Sequence, residues 1–163
     1  MATITVALPG QYITPLLEPE TLGVTTLRYN IPASVLQVAS STTSGDIVNL
    51  TLGTTPSSWV ATGAYAVLNT LFNPASVPSI TMSLGTTTNA GCFLASTSVS
   101  GASNSVIQPS TGVNTVAVVA NATATSILTT QAVFTIQGAA GFNAVTSGYM
   151  QVFLTIRDLT QMY

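Results

Sequence analysis

The stretch from Ser147 to Leu159, "SGYMQVFLTIRDL", indicates most clearly what kind of fold this chain adopts. Its side chains divide into two sets by strict alternation. One set is Met150, Val152, Leu154, Ile156 and Asp158, and the other is Tyr149, Gln151, Phe153, Thr155 and Arg157. Successive side chains of a strand point to opposite faces of a sheet, so this period of two predicts a β-strand. We expect the first set, apolar until its last member, to face the core.

Similar runs recur between turn signals from about Ala33 onward. The clearest is "GDIVNLTL" (45–52), where Val48, Leu50 and Leu52 alternate with Ile47, Asn49 and Thr51. The others are "ASVLQVA" (33–39), "GAYAVLNTLF" (63–72), "PSITMSLG" (78–85), "GCFLASTSV" (91–99), "NTVAVVA" (114–120), "TSILTT" (125–130) and "AVFTIQG" (132–138). About eight to ten short strands at even spacing indicate a sandwich or a barrel. We predict an all-β, antiparallel sandwich, with "NATATS" (121–126) as the one stretch that could form a short helix.

The stretch "SITMSLGTTTNAGCFLAS" (79–96) contains a polar loop between two apolar runs and carries no charge. We interpret "ITMSL" and "CFLAS" as two strands and "GTTTNAG" as the loop of their hairpin. Gly85 and Gly91 stand at the ends of this loop, where we expect positive φ angles.

The first 32 residues differ from the rest of the chain. They hold prolines at positions 9, 15, 19 and 32 and half of all the charged residues, which argues against a helix or a central strand. We predict an extended N-terminal arm over residues 1–32 and a sandwich domain over residues 33–163. The arm carries apolar side chains, so it must lie on its own domain or on a neighbouring copy. The predicted partner-binding residues are Ile13, Leu16, Leu17, Leu22 and Tyr29.

Charge is scarce throughout the sequence. Charged residues make up 4% of the chain, against about 25% in an ordinary soluble domain. With two arginines and a pI near 4.3, the chain has no basic patch for nucleic acid, and no apolar run is long enough for a membrane helix. The start "MATITVALPG" lacks the features of a secretory signal, so we expect synthesis in a host cytoplasm. Weak electrostatic repulsion between copies favours association, and we expect a homo-oligomer.

The sequence offers no catalytic chemistry, and we predict that the protein is not an enzyme. It has no histidine and no lysine, so neither a serine nucleophile nor Cys92 has a basic side chain beside it. Asp46 is expected at a turn or strand start, where an aspartate bonds its own backbone. The other acids, Glu18, Glu20 and Asp158, form no cluster that would hold a metal, and we expect no cofactor.

Four segments resemble capsid decoration (cement) proteins of tailed phages. They are "SGDIVNLTLG", "SWVATGAYAVLNTLFN", "PSITMSLGTTTNAGCFLAS" and "TSGYMQVFLTIRDL", and the likeness covers roughly residues 44–158. The matching positions are Gly45-Asp46, Leu84-Gly85 with Cys92-Phe93-Leu94, and Gly148 to Ile156. The acid usual in this hairpin is missing here, so a metal or charge role for the loop does not carry over. The resemblance implies a jelly-roll-like sandwich, often a trimer, on the outer surface of an icosahedral capsid.

Three functional interpretations follow from the sequence. The first is a decoration protein that bridges neighbouring copies of the major capsid protein in the virion. The second is another virion component of the neck, tail or head fibre. The third is a trimeric sandwich that binds a receptor or glycan, which clustered and exposed aromatic residues, Trp59 and the tyrosines, would favour.

Overall fold

The computed structural model describes residues 1–16, 24–37, 40–55, 59–72, 79–100, 105–107, 128–138 and 140–158. In these ranges the chain forms strands and three short 3₁₀ turns, and no helix in them has the length and apolarity to cross a membrane. The strands are β1 (Thr3–Ala7), β2 (Ile13–Leu16), β3 (Val24–Pro32), β4 (Ile47–Thr55), β5 (Trp59–Thr70), β6 (Ser79–Thr86), β7 (Leu94–Ser98), β8 (Ser105–Ile107), β9 (Leu128–Gln137) and β10 (Tyr149–Asp158). The predicted all-β class is confirmed.

The strands form two five-stranded sheets. The first sheet has the order β1-β4-β9-β6-β7, and the second has the order β2-β3-β10-β5-β8. Strands β3 to β10 pair as a nested series, β3 with β10, β4 with β9, β5 with β8 and β6 with β7, and all of these pairs are antiparallel. A long antiparallel ribbon rolled up in this way is a jelly roll.

The strands β1 and β2 extend this jelly roll by one strand on each sheet. Strand β1 pairs with β4 in parallel, with Thr3 opposite Ile47, and β2 pairs antiparallel with β3, with Ile13 opposite Tyr29. The 3₁₀ turn Gly10–Tyr12 joins the two strands. The first sixteen residues therefore cross from one sheet to the other along the edge of the sandwich.

The core lies between the sheets and matches the alternation read from the sequence. In β10 the side chains of Met150, Val152, Leu154 and Ile156 are buried, and in β4 so are those of Val48, Leu50 and Leu52. Two of the largest buried side chains, Phe72 and Phe134, meet across the core with ring centroids 5.8 Å apart. Apolar burial of this kind is the main force that holds two sheets together.

Two predictions about the first half of the chain need correction. The described part of the run "ASVLQVA", residues 33–37, is not a strand: Ala33–Val35 form a 3₁₀ turn in which the Leu36 N–H donates to the Ala33 carbonyl at 2.9 Å. The expectation of no central strand before Ala33 is wrong for β3, which lies between β2 and β10. Pro32 is the last residue of that strand and pairs with Tyr149 at the end of the ladder, so its missing donor is tolerated there.

The hairpin of the two runs around residues 79–98 is confirmed, but its glycines act differently. Strand β6 pairs with β7, and β7 begins at Leu94, two residues later than predicted. Among the described residues the glycines with positive φ are Gly45, Gly53, Gly138 and Gly148, and Gly85 and Gly91 do not belong to them. A Cβ on Gly85 would lie 2.1 Å from the Asn89 carbonyl oxygen, so this position requires glycine because the loop backbone approaches closely. The runs "NTVAVVA" and "NATATS" lie outside the described residues.

Candidate interaction surfaces

The N-terminal segment is attached to its own sandwich by backbone and side-chain contacts. Leu8 is buried, and its N–H donates to the Thr51 carbonyl at 2.8 Å just after β1 ends. Ile4 and Val6 are half-buried along β1. Residues 1–8 thus add a strand to the first sheet, with the apolar side chains turned inward.

Asp46 fixes the start of this segment. Its carboxylate accepts hydrogen bonds from the Ala2 N–H at 2.6 Å, the Thr43 hydroxyl at 2.8 Å, the Ser41 hydroxyl at 3.0 Å and the Thr43 N–H at 3.1 Å. These hydrogen bonds hold the pKa of Asp46 well below its usual range, and the bond from the Ala2 N–H has the largest effect. The predicted role as a turn residue that bonds local backbone is confirmed through Thr43, and the longer-range bond to Ala2 was not predicted.

The five predicted partner-binding residues fall in three places. Ile13 and Leu16 lie in β2, at the edge of the second sheet, opposite Tyr29 and Thr26. Leu17 and Leu22 lie outside the described residues. Tyr29 is 2% exposed and belongs to the core of its own chain, where burial raises the pKa of its hydroxyl to about 12. Its ring therefore cannot reach a partner while the chain stays folded.

The outward side of the second sheet carries a set of residues that we call the aromatic face. It consists of Thr26, Arg28, Asn30, Tyr65, Val67, Val106, Tyr149, Gln151, Phe153, Thr155 and Arg157. Both arginines of the sequence are in this set. Among the described large apolar side chains, Tyr65 and Val106 are unusually open, with exposed fractions of 40% and 56%.

The centre of the aromatic face is a row of three side chains on adjacent strands. Arg28 in β3 lies opposite Phe153 in β10, which lies opposite Tyr65 in β5. The rings of Phe153 and Tyr65 stack with centroids 4.5 Å apart and an angle of 8° between their planes. Stacked aromatic rings beside an arginine are typical of the residues that dominate binding energy at protein interfaces.

The outward side of the first sheet, which we call the hydroxyl face, has a different character. It consists of Thr3, Thr5, Ile47, Asn49, Thr51, Thr81, Ser83, Ser98, Val133 and Thr135. None of these side chains is charged or aromatic. Short hydroxyl side chains offer little area for burial, so this face is the poorer candidate for a strong contact.

Sequence reasoning missed the aromatic face although part of it was visible. The alternation in β10 grouped Phe153 with Arg157 on the mixed side of that strand. The alternation could not identify the neighbouring strands, because β3 and β5 end at Pro32 and Thr70, far before β10 begins at Tyr149. The assembly of Arg28 beside Phe153 and Tyr65 follows from the jelly-roll pairing alone.

The described residues contain no group of His, Cys, Asp and Glu that could hold a metal ion. Cys92 is half-buried, and burial raises the pKa of its thiol, which makes it less reactive. Trp59 is the first residue of β5, and its side chain lies outside the described part of the chain. The interpretation as a glycan-binding protein therefore depends on Tyr65 and Phe153.

No protein-family model matches the sequence, and no curated protein matches it. Among solved structures, a chain from "Capsid of Ralstonia phage GP4" is similar, with 16% identity, a TM-score of 0.52, and coverage of 96% of this chain and 97% of that one. A chain from "Cyanophage Pam1 capsid asymmetric unit" has 15% identity, a TM-score of 0.43 and coverage of 88% and 93%. The first likeness shows a shared fold over nearly the whole of both chains.

Proposed function

We propose that this protein is a structural component of a tailed-phage virion and, within that class, a capsid decoration protein. It binds the outer surface of the icosahedral shell and bridges neighbouring copies of the major capsid protein. The observation that carries the proposal is the fold likeness, over 96% of this chain, to a chain from the capsid of Ralstonia phage GP4. The sequence motifs at Gly45-Asp46, Leu84-Gly85 and Gly148 to Ile156 support the same class.

The physical chemistry of the chain suits this role. A protein that binds the assembled shell and not its separated subunits stabilises the shell by mass action, and it needs buried area rather than catalysis. The chain has six charged residues, so its contacts rest mainly on apolar burial and backbone hydrogen bonds. We therefore expect binding that depends little on salt.

The N-terminal segment supplies the bridging contact in this proposal. Strand β2 lies at the edge of the second sheet, so its side away from β3 can pair with a strand of a neighbouring molecule. The apolar residues Ile13, Leu16, Leu17 and Leu22 would strengthen such a contact. The neighbour is another copy within a homotrimer or a capsid subunit.

A reconstitution experiment tests the role. Shells that lack the protein are prepared from the phage that encodes it, and the temperature at which they release DNA is measured with and without the purified chain. We expect saturable binding, a higher release temperature, and an affinity that changes less than about threefold between low and high salt. No binding, or a strong loss of binding in high salt, would count against the proposal.

A deletion variant tests the contribution of the arm. Removal of residues 1–23 deletes β1 and β2 but keeps the nested strands β3 to β10. We expect circular dichroism to show that this variant stays folded. We expect it to bind shells at least about tenfold more weakly, a loss of about 1.4 kcal/mol of binding free energy. Full binding by the folded variant would remove the arm from the bridging contact.

A second candidate function is the binding of a glycan on a host surface. The stacked pair of Tyr65 and Phe153 favours it, because an exposed aromatic ring can pack against the apolar face of a sugar. A glycan array probed with the purified oligomer tests this function. Specific binding that Tyr65→Ser abolishes would support it over decoration.

A further inference from the structure

The aromatic face contains polar side chains that satisfy one another on both sides of Arg28. On one side the hydroxyls of Thr26 and Thr155 are 3.0 Å apart. On the other side the Asn30 amide oxygen accepts hydrogen bonds from the Tyr149 hydroxyl at 2.8 Å and the Gln151 amide at 3.1 Å. Each of these side chains therefore has at least one hydrogen-bond partner within the chain.

Arg28 differs from these neighbours. Its Nε is buried and has no hydrogen-bond partner, as is also true of the Arg157 Nε near the end of β10, and the described residues give its guanidinium no ion pair. A buried donor that stays unpaired is unfavourable, and a carboxylate is the acceptor that a guanidinium binds best, through two parallel hydrogen bonds. The described residues thus place no acidic group at the centre of this face.

The surroundings of Arg28 define the rest of the missing partner. Phe153 and Tyr65 lie beside it in the same row, and strand spacing puts the Cα atoms of Arg28 and Tyr65 about 10 Å apart. In the next row, Val67 of β5 lies opposite Val106 of β8, which is 56% exposed. An apolar surface therefore adjoins the unpaired positive charge.

We propose that the aromatic face is the surface that meets the capsid shell, and that it binds an acidic segment of a shell subunit. An Asp or Glu of that segment pairs with Arg28, and an apolar side chain beside it packs on Tyr65 and Phe153. This inference rests on the proposed function and adds which face makes the contact. A second copy in a two-fold contact centred on Arg28 fits the face less well, because the patch would meet itself and bring the two Arg28 side chains together.

The test measures the affinity of single variants for the same shells lacking the protein. Arg28→Gln removes the charge, and we expect it to lower the affinity about tenfold. Arg28→Glu reverses the charge, and we expect it to lower the affinity more than about a hundredfold. Arg157→Gln is the matched control, since Arg157 carries the same charge and the same buried, unpaired Nε on the same face but lies about 13 Å along β10 from Phe153. We expect its affinity to stay within about twofold of wild type. Circular dichroism and thermal unfolding check each fold, and Tyr65→Ser gives a second test if Arg28→Glu does not fold.

The outcomes separate the two proposals. Loss of binding for the Arg28 variants with normal binding for Arg157→Gln supports the assignment. If the wild-type chain binds shells and Arg28→Glu binds equally well, the assignment of this face is wrong and decoration stands. If the wild-type chain does not bind, both fail. Native mass spectrometry compares the oligomeric state of the wild-type chain and of Arg28→Glu in the absence of shells. If the wild type is an oligomer and the variant is a monomer, the face binds a second copy and the assignment to the shell is overturned.

Discussion

The two outward faces of this sandwich are built on the same kind of sheet but from different side chains. The hydroxyl face presents mainly threonine, serine and asparagine, with Ile47 and Val133 among them, whereas the aromatic face presents both arginines of the chain and the stacked pair Tyr65 and Phe153. Solubility alone would be served by the same composition on both faces. This difference is the basis of our proposal that the aromatic face has a partner.

The sharpest test of this difference compares a phenylalanine on the inward side of the first sheet with one on the outward side of the second sheet. Phe134 is fully buried between the sheets, and Phe153 is half-buried on the aromatic face. We expect Phe134→Ala to lower the free energy of unfolding by about 3–5 kcal/mol. Phe153→Ala should lower it by about 1 kcal/mol, chiefly through the lost ring stacking with Tyr65. Urea denaturation measures both, and equal losses would mean that the aromatic face is core rather than binding surface.

Tyr29 and Arg28 are neighbours on β3 that point to opposite sides of the second sheet. Burial raises the pKa of Tyr29 from 10.0 to about 12. The contribution of the buried Tyr29 hydroxyl to stability is fully present below pH 10, where this hydroxyl is neutral in the unfolded chain as well. It is lost as the pH rises toward 12. Two pKa units correspond to about 2.7 kcal/mol, so we expect a loss of stability of that order across this range.

Tyr29→Phe provides the control for that measurement. Its ring fills the same space but cannot ionise, so its stability should change less between pH 10 and 12 than that of wild type. Guanidinium denaturation at several pH values gives both curves. Parallel curves would show that the Tyr29 hydroxyl is not buried as described.

Asp46 provides a smaller and more local effect at the edge of the hydroxyl face. Its pKa is lowered in the fold, so its stabilising effect is present above its ordinary value of 3.8 and is lost as the pH falls below that value. We expect β1 to lose hydrogen-exchange protection below about pH 4 in wild type. Asp46→Asn should show the same loss at neutral pH. Unchanged protection of residues 3–7 in this variant would contradict the role of the carboxylate in holding the segment.

The smallest effect on stability comes from a matched pair of valines. Val67 on the aromatic face and Val133 on the hydroxyl face are both half-buried, and each lies in a strand with neighbours on both sides. Each Val→Lys change should lower stability by about 1 kcal/mol or less, because a lysine can extend its charge to water. Only Val67→Lys should weaken shell binding. If Val133→Lys weakens it equally, the two faces do not differ in function.

The sequence predicted the inward side of this fold well. In β4 and β10 the period of two identified the buried residues, because only one side of each strand faces the core. The 3₁₀ turn at Ala33–Val35 was missed because a short apolar run fits a strand and a turn equally well. The role of β3 as a central strand was missed because the prolines before it indicated an arm.

The candidate surface was less predictable than the core. Ile13, Leu16, Leu17 and Leu22 were chosen as partner-binding residues from apolar character alone, and their part in binding stays a prediction. Tyr29 was chosen on the same basis and lies in the core. The row of Arg28, Phe153 and Tyr65 depends on strands that pair at long sequence separation, which local patterns do not encode.

The most direct measurement is the number of copies per particle, obtained by quantitative mass spectrometry of purified virions of the encoding phage. A decoration protein should be present at a ratio to the major capsid protein near one, or near one-third if one copy occupies each threefold site. About a dozen copies per particle would assign the chain to the neck or tail. Its absence from purified particles would contradict a role in the virion altogether.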